Sequence, residues 1–141
     1  MSETTLTKGV EQLNSLLRGE ISAVETYEQA IRKVGDEHSR EAAQLRAIAQ
    51  EHGQHAQLLR EEVRRLHGEP DDASGAWGAY AKTIEGVAKL FGDTTALKAL
   101  KEGEEHGLKD YQEALDDVDG SARQLIAEVL IPAQQRHITT L

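Results

Sequence analysis

The stretch LNSLLRGEISAVETYEQAIRKV (residues 13–34) recurs, with most of its surface residues exchanged, as LKALKEGEEHGLKDYQEALDDV (residues 97–118). The identical pairs are Leu13/Leu97, Leu16/Leu100, Gly19/Gly103, Glu20/Glu104, Tyr27/Tyr111, Ala30/Ala114 and Val34/Val118. What is kept is a leucine stripe, a Gly-Glu pair and a tyrosine two helical turns after the glutamate. Two turns return a side chain to the same face, so each Glu shares a face with its Tyr and with the leucines. The repeat is an internal duplication of one amphipathic helix whose inner face carries a carboxylate.

Around these two segments the chain reads as helix almost throughout. In the first helix, from about Leu6 to Val34, the residues Val10, Leu13, Leu17, Glu20, Val24, Tyr27, Ile31 and Val34 step alternately by three and four. Gly35 stops it, and Asp36 or Ser39 is placed to cap a second helix reaching about His67. That helix has the seam Leu45, Ile48, His52, His55, Leu59 and Leu66. Gly68, Pro70, Asp71, Asp72, Ser74 and Gly75 break the pattern. A shorter stripe of Trp77, Tyr80, Ile84, Val87 and Phe91 follows, which reads as an extra helix lying as a lid on the bundle or at an oligomer contact. Asp93 can cap the third helix. Asp119-Gly120 turn the chain, and Ser121 with Gln124 has the form of a capping box for the fourth.

Helices joined by tight turns run antiparallel, which gives two hairpins. The connection from Gly68 to Asp93 is far longer than a tight turn requires and can carry the chain back along the bundle. Two antiparallel hairpins joined by one long crossover containing an extra helix is the ferritin-like four-helix arrangement, and residues 1–141 read as a single all-α domain of that kind.

The polar residues on the seams can then be placed in height. Glu20 lies about 16 residues before the first turn, and His52 and His55 lie about as far after it. Glu104 stands in the same relation to Gln134 and His137 across the second turn. Four helices thus bring Glu20, His52, His55, Glu104, Gln134 and His137 to one level at mid-bundle. Buried carboxylates need a cation, a histidinium or a proton as compensation. Oxygen and nitrogen donors at i, i+3 spacing on facing helices suit iron, manganese or zinc. Gly19, Gly53, Gly103 and Gly107 sit beside these residues, where each costs about 1 kcal/mol relative to Ala in a helix interior; close helix approach would explain them. Tyr27 and Tyr111 are candidates to support the ligands from behind. Glu51 points about 100° away from His52 around its helix. His38, His67 and His106 are expected at helix ends or on the surface, and Pro132 is expected to distort the fourth helix near Gln134.

Composition excludes other classes. With 25 Asp+Glu against 16 Lys+Arg and a net charge of −9, the chain is unsuited to nucleic acid or an anionic membrane. It has no cysteine, hence no disulfide, thiolate ligand or cysteine nucleophile. The polar opening residues and the lack of a long apolar run lead to the expectation of a cytoplasmic protein, with a homo-oligomer such as a dimer as a candidate state.

The segments Arg18–Tyr27, Glu104–Tyr111 and Ile131–His137 resemble the ferritin-like superfamily, and more closely an uncharacterised bacterial family of ferritin-like four-helix bundles. The resemblance covers essentially the whole chain. In the superfamily the first and third helices each give a Glu, and the second and fourth each give a Glu-x-x-His pair. By position Glu20, Glu104, His55 and His137 match. His52 and Gln134 stand where the superfamily has carboxylates, leaving two carboxylates where it has four. The resemblance implies metal-dependent oxidoreductase chemistry toward iron, oxygen or peroxide, with iron as the first expectation and the number of ions, one or two, open. The alternative reading is a metal-free bundle in which Glu–His and Glu–Tyr bonds set helix register, serving as a stress-related or partner-binding module.

Overall fold

A computed structural model of the chain describes residues 3–34, 39–73 and 93–141. Among these residues there is no strand. Helix α1 spans Glu3–Val34, α2 Ser39–Arg65 and α3 Asp93–Ala114. The last rod is composite: α4 over Gly120–Leu125, a π-helical turn over Ile126–Leu130, and α5 over Ile131–Thr140. The extra helix expected over the Trp77–Phe91 stripe, the Gly35–Asp36 stop and His38 lie outside the described residues.

Two apolar clusters set the directions of the helices. One gathers Leu13, Leu16 and Leu17 of α1, Leu59 and Val63 of α2, Tyr111 and Ala114 of α3, and Ala122, Ile126 and Leu130 of the last rod. The other gathers Tyr27 and Ala30 of α1, Ala42, Leu45 and Ile48 of α2, and Leu100 of α3, with Leu141 packed against it. Each cluster joins the start of one helix to the end of another, so α1 is antiparallel to both α2 and α3, and α3 is antiparallel to the last rod. Helix α2 therefore ends at one end of the bundle and α3 begins at the other. Beyond α2 the chain is tied to α1: Asn14 Nδ2 donates to the Glu69 carbonyl at 3.0 Å, Asn14 Oδ1 accepts from the Asp71 N–H at 2.9 Å, and Arg18 pairs with Asp71.

The end of α2 shows where a glycine is needed and where it is not. Gly68 N–H donates to the Val63 carbonyl and His67 N–H to the Arg64 carbonyl, both at 2.9 Å, which is the Schellman pattern. The residue in the left-handed region is His67, at φ 64°, where glycine is the usual occupant. Gly68 serves close approach instead, since a Cβ there would stand 2.7 Å from Val10 Cγ1 and 3.1 Å from Val63 Cγ1. At the turn between α3 and α4 it is Gly120, at φ 58°, that takes the left-handed conformation. The capping box expected from Ser121 and Gln124 does not form. Asp119 occupies the N-cap without a side-chain bond, Ser121 Oγ donates to Glu62 Oε2 at 2.8 Å, and Gln124 turns to Glu128. A buried carboxylate on α2 outcompetes the local cap for the hydroxyl.

The distortion expected from Pro132 is present as the π-helical turn just before it. Proline donates no N–H and its ring crowds the preceding turn; here the N–H of Ile131 reaches back to the Ile126 carbonyl, five residues away. Ala122, Ile126 and Leu130, four residues apart, are all buried. Steps of four drift about 40° each around an ideal α-helix, and the wider turn takes back part of that drift before Gln134 and His137.

The glycines make a paired test of this packing. Val10 is β-branched and stiff, so Gly68→Ala is expected to cost about 1–3 kcal/mol. At Gly53 an added Cβ would lie 4.0 Å from Val24 Cγ2, an ordinary contact, so Gly53→Ala is expected to stabilise by about 0.5–1 kcal/mol. Denaturant melts of both variants at one pH read out the opposite signs.

Candidate functional site

Between the two apolar clusters lies a buried polar layer. Glu20 comes from α1, His52 and His55 from α2, Glu104 from α3, and Gln134 and His137 from α5, all nearly inaccessible to solvent. The six residues placed at one level by chain position are thus buried at mid-bundle, and side-chain contacts link His52, Glu20, Glu104 and His137.

His52 occupies the centre. Its Nδ1 lies 2.6 Å from Glu20 Oε2 and its Nε2 lies 2.6 Å from Glu104 Oε1. A single ring thus spans the two repeats. An ionised carboxylate can only accept, so with both glutamates charged the ring must donate from both nitrogens, as an imidazolium. Burial alone would lower the His52 pKa; the Glu20 charge and the bonds to Glu104 and Glu20 override it and raise the pKa to about 10. Against burial, which raises it, the bonds to His137 and His52 bring Glu104 down to about 2.

The tyrosines are paired crosswise. Tyr27 Oη donates to Glu104 Oε1 at 2.5 Å, and Tyr111 Oη donates to Glu20 Oε1. Each tyrosine serves the glutamate of the other repeat, not its own. Tyr27 belongs to one apolar cluster and Tyr111 to the other, so the two rings close the polar layer from opposite sides. Burial, then the Glu20 charge and hydrogen bond, hold the Tyr111 hydroxyl well above its ordinary pKa, protonated and donating.

The outer histidines differ from each other. His137 has Nδ1 3.4 Å from Glu104 Oε2 and Nε2 3.0 Å from Glu51 Oε1. Glu51 also binds Arg136 at 2.9 Å. It does point away from His52, yet it reaches the layer through the neighbouring rod, a contact that helix geometry within α2 alone does not reveal. Burial would raise the Glu51 pKa, but Arg136 and His137 hold it low, so it stays charged. His55 has the opposite environment: its Nδ1 is buried with no partner. Burial lowers the His55 pKa more than Glu20 raises it, and the ring is neutral at neutral pH. Gln134 Nε2 donates to the Glu104 carbonyl at 3.0 Å, while its Oε1 is buried without a partner.

Two groups of three ligand atoms are each mutually within 4.8 Å: Glu20, His52 and His55, and His52, Glu104 and His137. Gln134 is seated on the backbone beside the second group. Of the glycines, Gly107 does answer to close approach, since a Cβ there would stand 2.6 Å from Gln134 Nε2. Gly53 does not, having ordinary contact distance to spare. Gly19 and Gly103, one residue before each Glu, line a pocket between α1 and α3 that reaches Glu20, Glu104 and both tyrosines. His106 is exposed, 3.4 Å from Asp110, and His67 ends α2, both away from the layer.

The bridge has a pH signature in protein held in chelator. A histidine whose folded pKa is raised stabilises fully below its unfolded pKa near 6.5 and loses that contribution as pH rises toward about 10. Glu104 works the other way: its contribution is present above about 4.5 and lost as pH falls toward about 2. The bridge therefore contributes most between about pH 4.5 and 6.5, but His55, whose folded pKa is lowered, works against it as pH falls below about 6.5. Melting temperature is thus expected to peak near pH 6.5 and to fall steadily from about pH 7 to 10. Removing either hydroxyl, by Tyr27→Phe or Tyr111→Phe, deletes one charge-assisted bond to a buried carboxylate. Each is expected to cost about 1.5–3 kcal/mol in urea melts at pH 7, and the two costs should be similar.

No curated protein and no solved structure matches the chain. A family model does, over a span holding Glu20, His52, His55, Glu104 and both tyrosines and ending before the last rod. The chain belongs to the family described as a domain of unknown function (DUF2383), whose model matches residues 8–117.

Proposed function

We propose that this is a ferritin-like metal-binding protein whose centre is built from Glu20, His52, His55, Glu104 and His137, with Gln134 at its edge and Tyr27 and Tyr111 behind the glutamates. The observation that carries the reading is the unpartnered Nδ1 of His55, buried in a layer that already holds two carboxylates. A neutral imidazole nitrogen sealed from water and left without a donor or acceptor is costly, and the same ring stands in a compact group with Glu20 and His52, a donor set that suits a divalent first-row cation. Helix directions support the ferritin-like part: α1 antiparallel to α2 and α3, and α3 starting at the end opposite to where α2 stops.

In this reading Glu20 and Glu104 supply the charge and the three histidines the nitrogen donors. Glu51 accepts from His137 Nε2 and so turns Nδ1 toward the layer. The tyrosines hold one oxygen of each glutamate and orient the other. An iron or manganese ion held there supplies one-electron chemistry toward oxygen or peroxide, and iron is the metal we propose. The chain's net charge of −9 and the lack, among the described residues, of any helix long and apolar enough to cross a membrane support a cytoplasmic setting without nucleic acid or lipid.

One observation favours a second reading. The His52 bridge can offset the buried carboxylates by itself, as a register-setting network in a metal-free module. Metal content separates the two. Protein purified without a histidine tag and loaded anaerobically with Fe(II) is expected to retain about one ion or more per chain, and a free-metal excess of 100 over Kd should add about 2.7 kcal/mol, on the order of 10 °C in Tm. The double variant Glu20→Ala/Glu104→Ala is expected to abolish that shift while far-UV circular dichroism still reports a helical bundle. Less than ~0.1 ion per chain, with no metal-dependent melt, overturns the proposal.

A further inference from the structure

Resting on the metal-binding reading, we propose that His52 divides the centre into two half-sites that compete for one ring, so that one ion per chain binds tightly in either half but not in both. The half-sites are Glu20 and His55 with His52 Nδ1, and Glu104 and His137 with His52 Nε2. Each half is one of the two compact ligand groups, and His52 is the only residue they share.

The two nitrogens of an imidazole sit on different edges of the ring with diverging lone pairs, so one ion cannot take both. Glu20 meets one edge and Glu104 the other, each at 2.6 Å. The outer histidines are divided in the same way, with Glu20 and His55 grouped apart from Glu104 and His137. A neutral ring has one lone pair and one N–H. When Nδ1 holds an ion, its proton passes to water, and the remaining Nε2–H donates to Glu104, which keeps that bond and the one from Tyr27. When Nε2 holds the ion, Nδ1–H donates to Glu20 in the mirror arrangement, with Tyr111 in place of Tyr27. A second ion requires removal of the ring's last proton, which an imidazole gives up far less readily than its first. A carboxylate at position 52 would carry no such exclusion, since its two oxygens can serve two ions at once.

The two halves are not equal in their surroundings. His137 is held by Glu51, whereas His55 Nδ1 has no partner. The halves are therefore distinguishable by spectroscopy even though they compete.

The test is titration of tag-free, chelator-treated protein with Co(II), followed by calorimetry and by visible absorption. The wild type is expected to take one ion tightly and any second at least ~100-fold more weakly. Glu20→Gln and His55→Gln spare the Glu104 half, and Glu104→Gln and His137→Gln spare the Glu20 half. Each single variant is expected to keep about one ion within ~10-fold of wild-type affinity, the two pairs giving different Co(II) spectra, whereas His55→Gln/His137→Gln should lose at least ~100-fold. Circular dichroism checks that each variant is folded, and the Glu→Gln pair answers the question alone if a His variant is not. If any folded single variant abolishes binding, all the ligands serve one ion and the division is wrong. Two ions of equal affinity in the wild type also overturn it. No Co(II) uptake by the wild type overturns the metal-binding reading itself, and the division with it.

Discussion

The contact on which the rest of this bundle depends is the imidazole of His52 held between Glu20 and Glu104, 2.6 Å from each. Two carboxylates buried in an apolar bundle repel each other and have lost their water; either alone would be expelled from the core or protonated. A single cationic ring between them neutralises half of the charge and ties α1, α2 and α3 at one height. Sliding α2 by a residue along α1 would turn His52 off the seam and strand both glutamates. The layer therefore acts as a pin for register. Leucines and alanines cannot perform that task alone, since an apolar seam tolerates slippage better than a hydrogen-bonded triad does.

The crosswise tyrosines show what the duplication is for. Two copies of a Gly-Glu-…-Tyr helix set antiparallel bring the glutamate of each against the tyrosine of the other, because a two-turn separation on one helix matches the same separation run backwards on its partner. Tyr27 meets Glu104 and Tyr111 meets Glu20 for that reason alone. One sequence element, used twice, thereby closes a polar layer from both sides and continues into an apolar cluster at each end. The partner rods break the symmetry. α2 contributes a central and an outer histidine, while α5 contributes one histidine and an amide seated on the Glu104 carbonyl.

Most of the helices and the polar layer were legible in the chain itself. Three-four stepping marked the four rods, Gly120 the last turn, and counting equally from each turn put the two glutamates level with His52, His55, Gln134 and His137. What could not be read were the choices between competing partners. A single helix shows that Glu20 and Tyr27 share a face but not that each bonds across to the other repeat. The Ser121 cap looked complete locally and lost its hydroxyl to Glu62, a residue distant in sequence. Gly68 read as a helix stop, yet the left-handed residue is His67 and the glycine answers to Val10. Gly53, grouped with Gly107 by its position, has no such neighbour. In each case the deciding atom belongs to another element.

The last rod shows how a backbone defect can serve the layer. A straight α-helix with buried residues at 122, 126 and 130 would have rotated its apolar stripe well off the core by the level of Gln134 and His137. Pro132 cannot complete the regular bonding pattern, and the π-helical turn before it shifts the phase of everything that follows. Gln134 and His137 both face inward as a result, one onto the Glu104 carbonyl and the other between Glu104 and Glu51. Because Pro132 is itself exposed while its effect is felt at His137, the residue acts through the phase of the helix and not through contact. Substituting it would change the polar layer without touching any member of it, and that is the sense in which the distortion belongs to the site.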